Sequence, residues 1–262
     1  MRPLTARRAL EAWELGQRSD PQGRALSLLA SALPEVSREK LVHLPLGQRD
    51  ALLMRLHERT LGHLIRGFSQ CPKCDARLEY PLDLRMYDVA GTLERRIAVT
   101  SVTLDGYEIR FRVPDSEDLE AMGFCPDVGT ARGLLLSRCV LSAVKDGQPV
   151  PPWQLPEAVI EELGKKMEEL DPLAFLPLSI DCARCGHKWL VLLDMATLVW
   201  QAISVSAERL LRDVHILAMA YGWSESEILG MSEARRRFYL EQIPTSQSSP
   251  LPTAAPRGRG RP

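Results

Sequence analysis

The chain has 262 residues, 45% of them apolar and 26% charged, with a formal net charge of −1. That size supports one large domain or two smaller ones with real cores, and near-neutral charge removes any bulk attraction to nucleic acid or to an anionic membrane surface. No apolar run reaches the length of a membrane span, and the opening residues lack the apolar core of a secretion signal. The expectation is a soluble, cytoplasmic protein, in the compartment where thiols stay reduced.

Residues 1–70 read as helical. Thr5 can cap a helix running to Gly16, Pro21 opens a second that stops before Pro34, and Ser37 begins a short third. Residues 47–64 give a fourth, with Leu52, Leu53, Leu56 and Leu61 at helical spacing. His57 and His63 lie six apart, do not share a helix face, and are not read as a metal pair.

Beyond Cys71-Pro72-Lys73-Cys74, residues 78–84 alternate as a half-buried strand would. Two β-rich runs, 97–104 and 107–113, flank Asp105-Gly106, a strong two-residue hairpin signal. Pro114 ends the second run, and Asp115 or Ser116 caps a helix through Met122. Residues 130–143 read as a further helix with Cys139 in its core, whereas Cys125 is a loop thiol. Residues 146–152 form a connector, and Pro156 starts an amphipathic helix to Leu170. An extended stretch, 176–180, leads to Cys182-Ala183-Arg184-Cys185-Gly186-His187 and an exit strand ending near Asp194.

The pattern is then helical from Met195 to about Tyr221, with His215 on the apolar side as a core histidine. Ser224 and Glu227 form a capping box for a short helix, and Ser232 caps a last one over 233–243. Residues 244–262 are rich in Pro, Ser and Gly and carry Arg257, Arg259 and Arg261 with no acid, which reads as a disordered basic tail.

The two Cys-x-x-Cys turns, with 107 residues between Cys74 and Cys182, organise the rest. Two intervening residues let both sulfurs of a turn point the same way, so each turn supplies half of a tetrahedral four-thiolate site. One zinc ion on Cys71, Cys74, Cys182 and Cys185 is the preferred reading, structural rather than catalytic because four thiolates leave no open position. Paired disulfides, a redox pair and unligated thiols are the alternatives. Zinc ribbons ordinarily close over roughly 15 to 20 residues. A longer loop adds only about 0.6 kcal/mol per doubling, so an insert between the two halves is tolerable.

No glycine-rich phosphate loop, nucleophile elbow or His-Glu-x-x-His helix is present. Residues alone therefore point to a zinc-stapled α+β binding or assembly module and not to an enzyme. On the last helix Arg235, Arg236 and Tyr239 supply the Tyr-plus-Arg composition of interface hot spots and are the candidate partner-binding residues. The Arg-rich helix and tail are also the only support for an alternative, a nucleic-acid-binding zinc ribbon. Three consecutive helical residues fan over about 200°, however, and make no single basic face.

The ordered motifs resemble the baseplate and hub-assembly-chaperone-like proteins encoded with contractile phage tails and phage-derived contractile injection systems. The matching stretches are Cys71 to Cys74, Arg110-Phe111-Arg112-Val113-Pro114-Asp115-Ser116-Glu117-Asp118-Leu119, Leu135-Leu136-Ser137-Arg138-Cys139-Val140, Leu155-Pro156-Glu157-Ala158 and Asp171-Pro172. The second cysteine turn through Trp189 follows, then residues 214–229 with their Tyr221-Gly222-Trp223-Ser224, and Arg235 to Leu240. The resemblance implies a non-enzymatic role in building or completing the baseplate of a contractile tail-like particle, with baseplate or tail proteins as partners. It implies no catalytic residue.

The expected architecture is α+β. It comprises a helical region over 1–70, a split zinc ribbon over 71–194 carrying an inserted β-hairpin and helices (95–172), a C-terminal helical region over 195–243, and the tail.

Overall fold

A computed structural model describes residues 1–97 and 99–243; the tail reading over 244–262 lies outside the described residues. The chain divides into two compact units, Met1–Glu208 and a second from Arg209 onward.

The first unit opens with four helices: α1 (Ala6–Gly16), α2 (Pro21–Ala32), α3 (Arg38–Val42) and α4 (Leu46–Leu61). Thr5, Asp20 and Ser37 cap the first three through side-chain oxygens. The fourth begins after Pro45, which has no capping side chain. Its first free N–H groups are taken from far along the chain, Leu46 N by the Pro114 carbonyl at 3.1 Å and Gly47 N by Asp171 Oδ2 at 2.8 Å. A Cβ on Gly47 would meet Asp171 Oδ1 at 2.2 Å, so glycine is what lets this carboxylate approach.

The helical reading of 1–70 needs one correction. Helix α4 ends at Leu61, Gly62 turns at φ 99°, and Leu64–Gln70 is a strand, β1, paired antiparallel with β2 (Arg77–Asp83). Helix α5 (Val89–Glu94) follows, and then a four-stranded antiparallel sheet in the order β3 (Thr100–Leu104), β4 (Tyr107–Phe111), β5 (Val140–Lys145), β6 (Gln148–Pro149). Helices α6 (Ser116–Met122) and α7 (Val128–Cys139) sit between β4 and β5.

Strand β5 is a second correction, because the helix read over 130–143 ends at Cys139. The supposed connector at Asp146-Gly147 is a turn with φ 50° and 76°, a near copy of Asp105-Gly106 at 47° and 77°. After α8 (Glu157–Leu170) come β7 (Pro177–Asp181) and β8 (Lys188–Leu192), a third antiparallel sheet. Helix α9 (Met195–Tyr221) crosses the unit division, and α10 (Glu225–Gly230) and α11 (Glu233–Glu241) complete the second unit.

Two cores hold the first unit. The larger joins α1, α2 and α4 to Ile65, Leu82, Leu84, Leu193 and the first turns of α9. There Trp200 fills the space left by Gly16, where a Cβ would come within 2.4 Å of the ring. The smaller lies between one face of the four-stranded sheet (Tyr107, Ile109, Phe111, Val140, Ala143) and α8 through Val159 and Leu163. Cys139 is fully buried and Cys125 half-buried. The mixed helix and antiparallel-sheet content agrees with the α+β expectation.

An ionic cluster fixes α6 beside this sheet. Asp118, with no exposed surface, receives both terminal nitrogens of Arg112 at 2.6 and 2.9 Å, Arg138 Nε at 2.5 Å and the Asp115 N–H at 3.0 Å. Although burial pushes its pKa up, these donors outweigh it and hold the carboxyl down at about 2.

His215 corrects the expectation of a core histidine, since it is exposed. In the second half of α9 Leu217 is buried, while Ile216 and Met219 are exposed.

Candidate metal centre

Each Cys-x-x-Cys is the turn of a two-stranded hairpin. In the first, Cys71 N–H donates to the Ala76 carbonyl at 2.9 Å and Asp75 N–H to the Cys71 carbonyl at 2.9 Å. In the second, Cys182 N–H donates to the His187 carbonyl at 2.8 Å and Gly186 N–H to the Cys182 carbonyl at 2.8 Å. The residue after the second cysteine is left-handed in both, Asp75 at φ 55° and Gly186 at φ 67°. Glycine adopts that region freely, and Asp is among the few side chains that tolerate it. Nothing in the sequence alone singles out Asp75 as the counterpart of Gly186.

The hairpins bring all four predicted ligands together: the sulfurs of Cys71, Cys74, Cys182 and Cys185 lie within 4.8 Å of one another. Two of the separations run between hairpins, Cys71 to Cys185 and Cys74 to Cys182, both 3.6 Å. These are no disulfides, whose sulfurs sit about 2.05 Å apart. A tetrahedral zinc with Zn–S bonds of about 2.3 Å spaces its sulfurs by roughly 3.8 Å, close to the separations observed. The leading cysteine of each turn is buried and the trailing one half-buried.

The thiols also influence one another's protons. Burial raises the Cys182 pKa, but N–H groups of Cys185 and Arg184 and the thiols of Cys185 and Cys74 bring it down to about 7. Cys74 accepts from the Ala76 N–H, which lowers its pKa. Desolvation and the three neighbouring sulfurs prevail, pushing it to about 12. The four thiols are coupled, so their protons belong to the group and not to single sulfurs. Donor type, donor number and spacing all fit a single tetrahedral zinc.

A second group, His43, Asp115 and Glu117, also brings its ligand atoms within 4.8 Å. Asp115 is already engaged there: Oδ1 accepts the N–H groups of Glu117 and Asp118, and Oδ2 meets His43 Nδ1 at 3.0 Å. It is the capping box of α6 and not a ligand set. His57 is buried with Nδ1 on the Gly62 carbonyl at 2.8 Å, and burial lowers its pKa.

The candidate partner residues separate. Arg235 is exposed and Tyr239 half-buried. Arg236, in contrast, is 7% exposed and donates Nη1 to the Met231 carbonyl at 2.5 Å. This corrects its reading as a docking side chain, because its position on the helix turns it inward. Arg237 pairs with Glu233 at 2.7 Å.

Comparison with curated proteins and with solved structures yields no match. The family model described as T4 bacteriophage base plate protein matches residues 10–200, well over half of the chain and all four cysteines. On that match, the chain belongs to the T4 bacteriophage base plate protein family.

Proposed function

We propose that the chain is a non-enzymatic component or assembly factor of the baseplate of a contractile phage-tail-like particle, held together by one structural zinc ion. The observation that carries the metal is the convergence of four thiols from segments more than a hundred residues apart, at spacings matching a tetrahedron. Family membership carries the baseplate. Cys71, Cys74, Cys182 and Cys185 hold the metal, and the hairpins β1–β2 and β7–β8 are the halves of a split zinc ribbon. The region between them, 95–172, is an insert that the ribbon clasps at both ends. The helical parts, 1–61 and 195–243, flank the ribbon in sequence, and the basic stretch 244–262 follows in sequence. Four thiolates complete the coordination of zinc and leave no position for a substrate. Binding to other baseplate proteins, with Arg235 and Tyr239 contributing, is therefore the activity.

Metal analysis of freshly purified, reduced protein should give one zinc per chain, and none in Cys182→Ser. Particles isolated from the native host should hold the chain in finished baseplates if it is a component. If it is an assembly factor, only unfinished intermediates should hold it. A chain that co-purifies with neither overturns the reading. Retention on heparin with a steep salt slope would instead favour the nucleic-acid alternative, which the inward Arg236 and the paired Arg237 do not support.

A further inference from the structure

Four rings and one cation form an open cluster inside the second unit. The Tyr221 ring stacks on Trp223 with centroids 4.5 Å apart, and Tyr239 meets the two edge-on at 5.8 and 4.8 Å. Phe238 meets Tyr239 at 5.6 Å. The Tyr221 hydroxyl donates to the Tyr239 carbonyl at 3.1 Å, tying the end of α9 to α11. This packing orders the rings without covering them: Phe238 is 57% exposed and Tyr221 38%. The Arg235 guanidinium stands 5.7 Å from the Tyr239 ring centroid.

The three consecutive arginines of α11 have three different surroundings. Arg237 has its acid in Glu233, and Arg236 is buried on a carbonyl. Arg235 is exposed and makes no ion pair among the described residues. Ordered aromatic rings carrying one unpaired guanidinium are what protein interfaces concentrate. The family match ends at residue 200, before this unit begins at Arg209, so the cluster lies outside the matched stretch.

We propose that this cluster binds an acidic, apolar segment of a partner protein, with a carboxylate on Arg235 and a neighbouring apolar side chain on Phe238 and Tyr221. The proposal rests on the partner-binding reading above and supplies its chemistry. Charge complementarity selects the occupant. Among the described residues Arg235 is the arginine of α11 without an acid or a buried carbonyl partner. A guanidinium takes a carboxylate through two parallel hydrogen bonds, and its position over a ring holds it ready for that. A nucleic-acid backbone needs several free cations on one face, and Arg236 and Arg237 are already engaged.

The test pans a displayed library of random short peptides against the full-length, zinc-containing chain. Wild type should enrich peptides with Asp or Glu beside apolar residues. The strongest synthetic peptide should bind Arg235→Gln roughly tenfold more weakly. Its amide analogue, with the acid replaced by Asn or Gln, should lose affinity for wild type by a similar factor and lose little more on the variant. Phe238→Ser should also weaken binding, with zinc content and circular dichroism unchanged. Enrichment of peptides without acids, no enrichment at all, or equal binding to both variants overturns the proposal. Particle association and zinc content, measured on the same variants, test the underlying reading separately. Intact association with no acidic peptide selected overturns this proposal alone.

Discussion

The two cysteine hairpins have the same turn and different anchorage. Each turn closes with the same pair of hydrogen bonds and the same left-handed residue after its second cysteine. Behind the first turn, Ile65 (1% exposed), Leu82 and then Leu84 enter the main core beside the N-terminal helices. Behind the second, Ile180 is the buried strand residue, and the main core receives Leu176 and Leu193 from just outside the strands. The difference teaches that a metal turn is a local structure of a few residues, while what it is attached to depends on the whole fold. The first hairpin sends Ile65 and Leu82 from its strands into the main core, whereas the second reaches that core mainly through residues flanking its strands and would lean more on a shared metal.

Removing the proposed zinc should break the comparison most severely. Cys71→Ser and Cys182→Ser should each abolish zinc binding and lower the melting temperature on the order of 10 °C or more. Equal effects are expected because the four ligands act as one site. Chelation should then separate the hairpins: amide exchange should speed up more in 177–192 than in 64–83. Equal protection in both after chelation would show that the second hairpin does not depend on the metal.

The apolar anchors come next. Ile65→Ala should cost about 2–5 kcal/mol, as deletions in a closed core do, with Ile180→Ala at the low end of that range. Chemical denaturation of the zinc-loaded variants measures both, and an Ile180 cost above that of Ile65 would reverse the assignment.

The same contrast explains what could be read from residues. The convergence of the four cysteines was legible because Cys-x-x-Cys spacing is a local property. The long helix α9 was legible too, since its apolar period and the stop at Gly222 lie in one stretch. Strand β1 was hidden because its pattern is mixed: Leu64 and Phe68 face solvent, while Ile65 and a glycine, Gly67, are the buried residues. Gly67 is small because Tyr80 lies across from it, and a Cβ there would meet that ring at 2.2 Å. Strand β5 was hidden because no breaker separates it from α7; Cys139 ends the helix and Val140 begins the strand. The signal that could have revealed it is Asp146-Gly147, the same dipeptide that disclosed the first hairpin of the sheet. Asp171 at the start of α4 could not be read, since nothing local says which distant N–H groups a carboxylate will reach.

A buried carboxylate tests whether the proposed metal alone would secure the region between the hairpins. Asp118 sits in that region with a pKa held near 2, below the unfolded value of about 3.9. A depressed carboxyl contributes stability that is present above the unfolded pKa and lost as pH falls through the folded one. Asp118→Asn should therefore cost roughly 2–3 kcal/mol at neutral pH, and the gap to wild type should close between pH 4 and pH 2. Retained zinc in this variant would show two independent fastenings. A gap that stays constant down to pH 2 would instead assign the cost to packing.

The smallest effect isolates the left-handed residue, which is an aspartate in one turn and a glycine in the other. Gly186 and Asp75 occupy equivalent left-handed positions, and a Cβ at Gly186 would meet nothing within 4 Å. Any cost of a side chain there is therefore conformational rather than steric. Gly186→Ala should cost about 1 kcal/mol, the price of a left-handed alanine less the entropy that glycine gives up on folding. Gly186→Asp should cost a few tenths of a kcal/mol less, because a short polar side chain tolerates this region, and Asp75→Gly should lie within about 1 kcal/mol of wild type for the same reason. Denaturant midpoints of the zinc-loaded proteins separate these values. If Gly186→Ala proves neutral while Asp75→Gly is strongly destabilising, the Asp75 side chain is needed for its contacts and the two turns are not equivalent after all.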